Sequence, residues 1–260
     1  MSLPLKIATW NINSIRVRLP HILEWLKTHS PDILALQETK VLDENFPLDE
    51  FKAAGFECHF SGQSAYNGVA VISKKTCADI VCDIPNLSDP QRRILGLTYE
   101  NVRIMNVYIP NGESITSEKY QYKLNWLNHL DAFLEAELKK FPQFVLLGDF
   151  NIAPEDRDTH DPTEWAGQVL CTEPERNAFK SFTAKGLSDC FRLKSQADQS
   201  FSWWDYRLNS FKRNRGMRID HILASGQLAE KCTNCYIDSN PRGWERPSDH
   251  APVIAEFDLR

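Results

Sequence analysis

The chain predicts an α/β fold in which two sheets pack face to face with helices outside, and three observations lead there. Eight short β-type runs outnumber three amphipathic helical segments. Many of the runs are nearly continuous in apolar residues, as strands covered on both faces are. Two of them, 94–98 and 102–108, are joined by a short turn and so should be antiparallel neighbours. The sequence contains no repeat, low-complexity stretch or linker-like run, so one domain over residues 1–260 is expected.

The first run, 5–10, closes in Trp10-Asn11-Ile12-Asn13. Leu19, Ile22, Leu23 and Leu26 then take the spacing of one buried helical face. Residues 32–36 form the next run, closing in Gln37-Glu38-Thr39, and 69–73 follows. The 94–98 and 102–108 pair leads into Tyr108-Ile109-Pro110-Asn111. A longer helix is carried by Leu124, Leu127, Leu130, Phe133, Leu134 and Leu138. The wholly apolar run 144–147 passes into Gly148-Asp149-Phe150-Asn151, and a third helix over 173–185 stops near Gly186. Arg218-Ile219-Asp220-His221 opens the run 219–223, and Pro247-Ser248-Asp249-His250-Ala251-Pro252 precedes the last, 253–257.

Apolar residues at 42% and charged residues at 25% are those of a soluble globular domain. No stretch approaches the ~20 apolar residues that span a bilayer. The opening Met1-Ser2-Leu3-Pro4-Leu5-Lys6-Ile7 lacks the features of a secretory signal, which predicts a cytoplasmic protein without membrane contact. A net charge of −5 does not advertise nucleic-acid binding. Any such surface must be local, and Lys212, Arg213, Arg215 and Arg218, with the smaller pairs Arg92-Arg93 and Arg16/Arg18, are the basic clusters available. Seven cysteines, an odd number, fit reduced thiols, and the lone C-x-x-C at Cys232 and Cys235 is read as strand packing.

Polar side chains recur where strands end. One Asn or Asp at a strand end is ordinary turn chemistry, but six such sites could form a single polar floor. Phosphodiester hydrolysis needs that inventory: a cation against the phosphoryl charge, an oriented water and help for the leaving oxygen. Hard cations such as Mg²⁺ take oxygen ligands, usually one or two carboxylates. Glu38 is the candidate ligand, with Asn11 or Asn13 beside it. Asp149 and Asn151 share a face of an extended segment, so the carboxylate can take a proton from a water held by the amide. His250 can donate to a phosphate oxygen with Asp220 setting its tautomer, and Tyr108 is a suitable donor. His21, His29, His59 and His129 read as surface or packing residues, while His160 and His221 stay open.

Taken in order, these motifs resemble the endonuclease/exonuclease/phosphatase superfamily over essentially the whole chain. Leu36-Gln37-Glu38-Thr39-Lys40, Gln91-Arg92-Arg93-Ile94 and Phe201-Ser202-Trp203-Trp204-Asp205-Tyr206 are similar to its exonuclease III group of apurinic/apyrimidinic (AP) endonucleases. The resemblance implies a four-layered α/β sandwich of two mixed, mainly antiparallel sheets flanked by helices. It implies Mg²⁺ or Mn²⁺ acting on double-stranded DNA with abasic sites or blocked 3′ ends; a monomer is the default expectation, which no residue pattern supports directly. Incision 5′ to the abasic site and 3′→5′ exonuclease or 3′-phosphodiesterase activity follow from it.

Position by position, it makes Glu38 the metal ligand, with Asn11, Asn13 and Asp249 beside it, and Asp149 the base. Asn151 and Asn11 orient water and phosphate, Tyr108 and Asn111 contact phosphate, and Asp220 supports His250. Trp203, Met217 and Ile219 become the wall of a pocket for an extruded abasic sugar, with Trp204 equally suited to the core. Arg92, Lys212, Arg213 and Arg215 become backbone contacts whose affinity falls with salt. Ser14 stands where many relatives carry Gly, Asn13 where Asp can stand, and Asn111 where some carry Gln. The rival readings are a polyphosphoinositide phosphatase, sphingomyelinase or RNA deadenylase of the same superfamily, and a non-catalytic DNA-binding scaffold. The Trp203-Trp204 segment argues for DNA, and the intact set of acidic, amide and imidazole groups argues for catalysis.

Overall fold

Two helical crossovers organise the chain. The computed structural model describes residues 4–259. Met1, Ser2 and Leu3 of the N-terminal segment, and Arg260, lie outside the described residues. Strand β1 (Leu5–Asn11) passes through helix α1 (Ile15–His29) to a parallel β2 (Ile33–Gln37). Later, β7 (Val102–Tyr108) passes through α3 (Glu118–Lys140) to a parallel β8 (Phe144–Asp149). The remaining elements are α2 (Leu48–Ala53), β3 (Glu57–Ser61), β4 (Val69–Ser73), β5 (Ala78–Val81) and β6 (Ile94–Tyr99). After β8 come α4 (Pro162–Trp165), α5 (Glu173–Ala184), β9 (Leu187–Asp189), β10 (Asp220–Ser225), α6 (Gly226–Glu230), β11 (Cys232–Ile237) and β12 (Val253–Phe257).

The strands form two six-stranded sheets, ordered β11-β12-β1-β2-β4-β3 and β5-β6-β7-β8-β10-β9. In each, the parallel pair is central and every other pairing is antiparallel. The two sheets therefore share one pairing plan, and the C-terminal ends of β1, β2, β7 and β8 meet at one rim.

Three buried clusters show the layering. Ile7, Ile33, Val71, Leu97, Ile104, Val145 and Ile222 pack between the sheets. Ala8, Trp10, Leu34 and Ile72 face Ile22, Trp25, Leu26 and Phe51 of α1 and α2. Met105, Leu146 and Leu223 face Trp126, Leu130 and Phe182 of α3 and α5. Successive side chains in a strand point to opposite faces, and here both faces are covered, so the central strands are nearly continuous in apolar residues. The result is the four-layered α/β sandwich expected.

The central strands lie where the sequence runs place them, with shifts at their ends: β8 extends to Asp149 and β10 begins at Asp220. The four edge strands β3, β5, β9 and β11 have no counterpart among those runs, although strand packing is the expectation for Cys232 and Cys235. Both lie buried on β11, and all seven cysteines are free thiols. Helix α5 matches the predicted 173–185 closely and starts with a reciprocal cap in which Thr172 and Glu175 satisfy each other's backbone N–H groups. No helix among the described residues is long and apolar enough to cross a membrane.

Candidate active site

Register assembles the site. Tyr108 on β7 and Asp220 on β10 both pair with Asp149 on β8, one from each side, and Asn11 pairs with Gln37 at the end of β2. Gly148 permits the first arrangement: its φ is 143°, and a Cβ there would stand 1.9 Å from the Val107 carbonyl oxygen. Between the sheets, the buried Asn106 amide donates to the carbonyls of Leu36 (3.0 Å) and Ala70 (2.9 Å), and accepts from Gln37 at 2.7 Å. This polar bridge joins the two sheets one layer beneath the floor of the site.

The floor is a network of carboxylates, amides and one imidazole. The Asn11 amide nitrogen donates to Glu38 Oε1 at 2.8 Å and to Asp149 Oδ2 at 2.9 Å. His250 Nδ1 meets the two Asp220 oxygens at 2.9 and 3.1 Å, and its Nε2 lies 3.8 Å from Asp149 Oδ2. Ser202 donates to Asp220 at 2.6 Å. Burial pushes the Asp149 carboxyl up to about 7, against the opposing pull of His250. Burial alone would lower His250, but Asp220 and Asp149 outweigh it and raise the imidazole to about 10. Burial, Glu38 and Asp149 together hold the Tyr108 phenol well above its usual range. At neutral pH the site therefore presents a proton acceptor, a cationic donor and a neutral phenol.

The amides are pinned before any ligand arrives. Asn111 donates to Asn151 Oδ1 at 2.9 Å, Asn151 donates to the Ile109 carbonyl at 3.0 Å, and the Asn151 N–H meets Asp149 Oδ1 at 2.9 Å. Asn13, Glu38 and Asn151 all have left-handed backbones, with φ of 44°, 55° and 50°. For a Glu this is costly and persists where surroundings over-determine it.

Ligand atoms of Glu38, Asp149 and His250 lie within 4.8 Å of one another, the one such group among the described residues. Two carboxylate donors fit a hard divalent cation; His250 is committed to Asp220 and held protonated, so it fits a phosphate donor better than a ligand. The metal assignments of Asn13 and Asp249 are not supported by their placement. The two pair with each other at 3.0 Å, Asp249 also accepts from Trp203 Nε1 at 3.0 Å, and Asn13 accepts from Lys40 at 2.5 Å. Burial would raise Asp249, but His250, Trp203 and Asn13 outweigh it and its pKa is lowered. Asn11 turns its amide hydrogens toward the carboxylates, while its oxygen accepts from the Asn13 N–H at 3.0 Å.

A pocket of 340 Å³ above this floor is lined by Glu38, Tyr108, Asp149, Asn151 and His250 on its polar side. Trp165, Val169, Leu170, Trp203 and Ile219 line the other side. Met217 is fully buried behind that wall, packed on Ile219 and Leu170, and so does not line it as expected. Trp204 is core, stacked edge-on to Phe211. Among the predicted backbone contacts, Lys212 and Arg213 are exposed, Arg215 pairs with Glu164 at 2.7 Å, and Arg92 pairs with Asp83 at 3.0 Å away from the pocket lining. Arg218, grouped with them by sequence, is instead buried between Asp158 (2.7 Å) and Asp189 (2.8 Å). The two open histidines also resolve structurally. His221 is buried between Arg218 and the Ile152 carbonyl, and His160 lies 3.6 Å from Glu164.

Lys40, Lys123 and Leu170 carry no role in the sequence reading and Arg93 is there only a member of a basic pair, yet all four stand at the site. Lys40 pairs with Glu38 at 2.7 Å, and Arg93 stacks on the Tyr108 ring at 4.7 Å. Both belong to the motifs that contain Glu38 and Arg92. Lys123 is a charge on the buried stripe of α3, four residues before Leu127 and seven before Leu130, which is the signal that marks it.

Known proteins resemble this chain in sequence and fold. The Endonuclease/Exonuclease/phosphatase family matches residues 8–250. Exodeoxyribonuclease III of Haemophilus influenzae is 38% identical over 97% of this chain and 100% of its own. The solved 3′-5′ exonuclease (NExo) of Neisseria meningitidis superposes with a TM-score of 0.96 at 44% identity, covering 98% of this chain and 100% of that one. NExo is also solved as a 3′ phosphatase bound to a product DNA hairpin, with a TM-score of 0.97, 43% identity and the same coverage. An AP endonuclease from Archaeoglobus fulgidus gives 0.95 at 39% identity, again over 98% and 100% of the two chains.

Proposed function

The chain belongs to the exonuclease III and AP endonuclease group of the endonuclease/exonuclease/phosphatase family, and on that premise we propose that it incises double-stranded DNA 5′ to abasic sites and clears blocked 3′ ends. At the coarser level it is a DNA nuclease, a phosphodiester hydrolase of the exodeoxyribonuclease III type. The observation that carries the finer reading is the pairing of a buried Asp149 raised to about 7 with an apolar wall across a pocket of 340 Å³. A phosphate can face the polar floor while a base-less sugar packs on Trp203, Leu170 and Ile219.

Asp149 takes a proton of the attacking water as its oxygen bonds to phosphorus and the P–O3′ bond breaks, the departing 3′ oxygen taking up a proton to become a hydroxyl. A base near neutral pKa combines an ionised fraction with real proton affinity. Asn111 and Asn151 direct the phosphate, each already held by the other. His250, cationic and fixed by Asp220, donates to a phosphoryl oxygen, and Tyr108 donates its phenolic hydrogen toward the same group. A Mg²⁺ or Mn²⁺ ion held by Glu38, with Asp149 within reach, would supply charge neutralisation at the phosphoryl oxygens. Lys212 and Arg213 face solvent and suit sequence-independent contact with flanking phosphates.

A second reading confines the enzyme to 3′ ends. The Neisseria structures at 43–44% identity, a 3′ phosphatase and 3′-5′ exonuclease, favour it. The test is a labelled duplex with one internal tetrahydrofuran abasic analogue beside a nicked duplex ending in 3′-phosphate, each with Mg²⁺ and with EDTA. The analogue cannot undergo β-elimination, so metal-dependent cutting on its 5′ side supports AP endonuclease action. Phosphate release without internal cutting supports the second reading. Inertness toward both, in a folded sample with metal, overturns the two together.

A further inference from the structure

Behind the pocket lies an ion pair that the chemistry above does not use. Lys123 of α3 and Glu175 of α5 are wholly buried, and their charged atoms are 2.5 Å apart. The same ammonium donates to the backbone carbonyls of Asn151 at 2.6 Å and Asn111 at 3.2 Å. The same carboxylate accepts from the N–H groups of Leu170 and Thr172, each at 3.0 Å, and from the Thr172 hydroxyl at 2.6 Å. An ammonium has three donors, and one carboxylate and two carbonyls use them.

A buried pair of this kind is weak as a stability device, because desolvating both charges offsets most of their attraction. Its partners point elsewhere. Asn151 has φ 50° and Leu170 has φ 77°, both left-handed, and such backbones persist where neighbouring bonds over-determine them. Lys123 ties down the first and Glu175 the second. One residue faces the phosphate side of the pocket and the other its apolar wall.

We propose that Lys123 and Glu175 are positioning residues, a brace that sets the distance between the phosphate-directing amides and the wall that receives the sugar. The proposal rests on the functional reading of those two sides. Neither residue touches substrate; each acts through Asn111, Asn151 or Leu170. A lysine ammonium is a compact charge with three rotatable donors, which matches the one carboxylate and two carbonyls around it.

The test uses the full chain carrying Lys123→Met with Glu175→Gln, which removes both charges together and leaves no lone ion buried. Thermal melting should show a folded protein. Turnover of the substrate that the wild type cuts should drop roughly 10²-fold, the scale of an ångström misplacement, with KM changed far less. Hydrogen exchange should accelerate over 109–112, 150–153 and 168–172 while 144–148 stays protected. A folded double variant with wild-type kcat, or with unchanged exchange in all three segments, overturns the brace. If the double variant fails to fold, Glu175→Gln alone is read by exchange at 168–172, where unchanged protection counts against the proposal. If the wild type cuts neither DNA, the functional reading fails while the exchange result still decides the brace.

Discussion

Asp220 holds His250 with both carboxylate oxygens, at 2.9 and 3.1 Å from Nδ1, and is itself fixed by the Ser202 hydroxyl at 2.6 Å. The carboxylate thereby selects the orientation of the ring and keeps it charged, leaving Nε2 toward the pocket. Asp220→Asn should lower kcat by roughly 10²- to 10⁴-fold. Because Asp220 is the main influence raising His250 against burial, the alkaline limb of the remaining activity should move to lower pH. An unmoved limb in a pH–rate profile would separate His250 from the protonated-donor role.

Asp149→Asn should cut turnover by orders of magnitude while DNA binding, followed by anisotropy, is largely kept. Stability should move the other way. Asp149 titrates near 7 in the folded protein but near 3.8 in the unfolded chain. The folded state thus binds more protons between those values, and stability declines as pH rises through that window. The Asn variant lacks this decline and should be the more stable protein at pH 8 in urea titrations. Near-normal turnover would remove Asp149 from the base role.

His221 gives a pH dependence of opposite sign. Its Nδ1 faces the Arg218 guanidinium at 3.1 Å and its Nε2 the Ile152 carbonyl at 2.9 Å, which suits the neutral ring. Burial, then Arg218, lowers its pKa from 6.5 to about 4. The unfolded chain takes up a proton near 6.5 and the folded one only near 4, so stability falls as pH drops through that interval, by about 3 kcal/mol in all. His221→Gln should be less stable at pH 7 but flatter between pH 7 and 4.5. Parallel curves for the two proteins would show that another group governs the acid limb.

Lys212→Ala and Arg213→Ala should each weaken binding to any duplex and reduce the slope of log affinity against log salt by about 1 for each phosphate no longer neutralised. Arg92→Ala should change that slope less, since its guanidinium already faces Asp83 at 3.0 Å. Equal slopes for all three variants and the wild type would place the DNA on another face.

The sequence is most readable where burial is most complete. Central strands such as β4 and β7 are buried along almost their whole length, and their runs coincide with the observed bounds. The edge strands mix exposed and buried positions: β5 presents Ala78, Asp79 and Ile80 to solvent, and β9 has three residues. No run of either period marks them. The polar strand ends are legible as motifs because Asn11, Glu38, Asp149 and His250 interrupt apolar segments. Their bonding is not: the pairing of Asn13 with Asp249 joins residues 236 apart. Met217 falls behind the pocket wall rather than on it because sequence shows that a residue is apolar near a site, and not whether it lines the cavity or backs it.

Glu38 follows a strand of one sheet and Asp149 ends a strand of the other, with Asn11 spanning them and the Asn106 bridge one layer below. The catalytic floor is thus built across the sandwich's seam, and its dimensions are those of the seam. A substitution such as Val145→Ala or Ile33→Val touches no polar group, yet it changes the volume between the sheets and should alter turnover through the gap between the carboxylates. In this enzyme the hydrophobic filling works as a spacer for the chemistry, and core volume becomes a kinetic parameter.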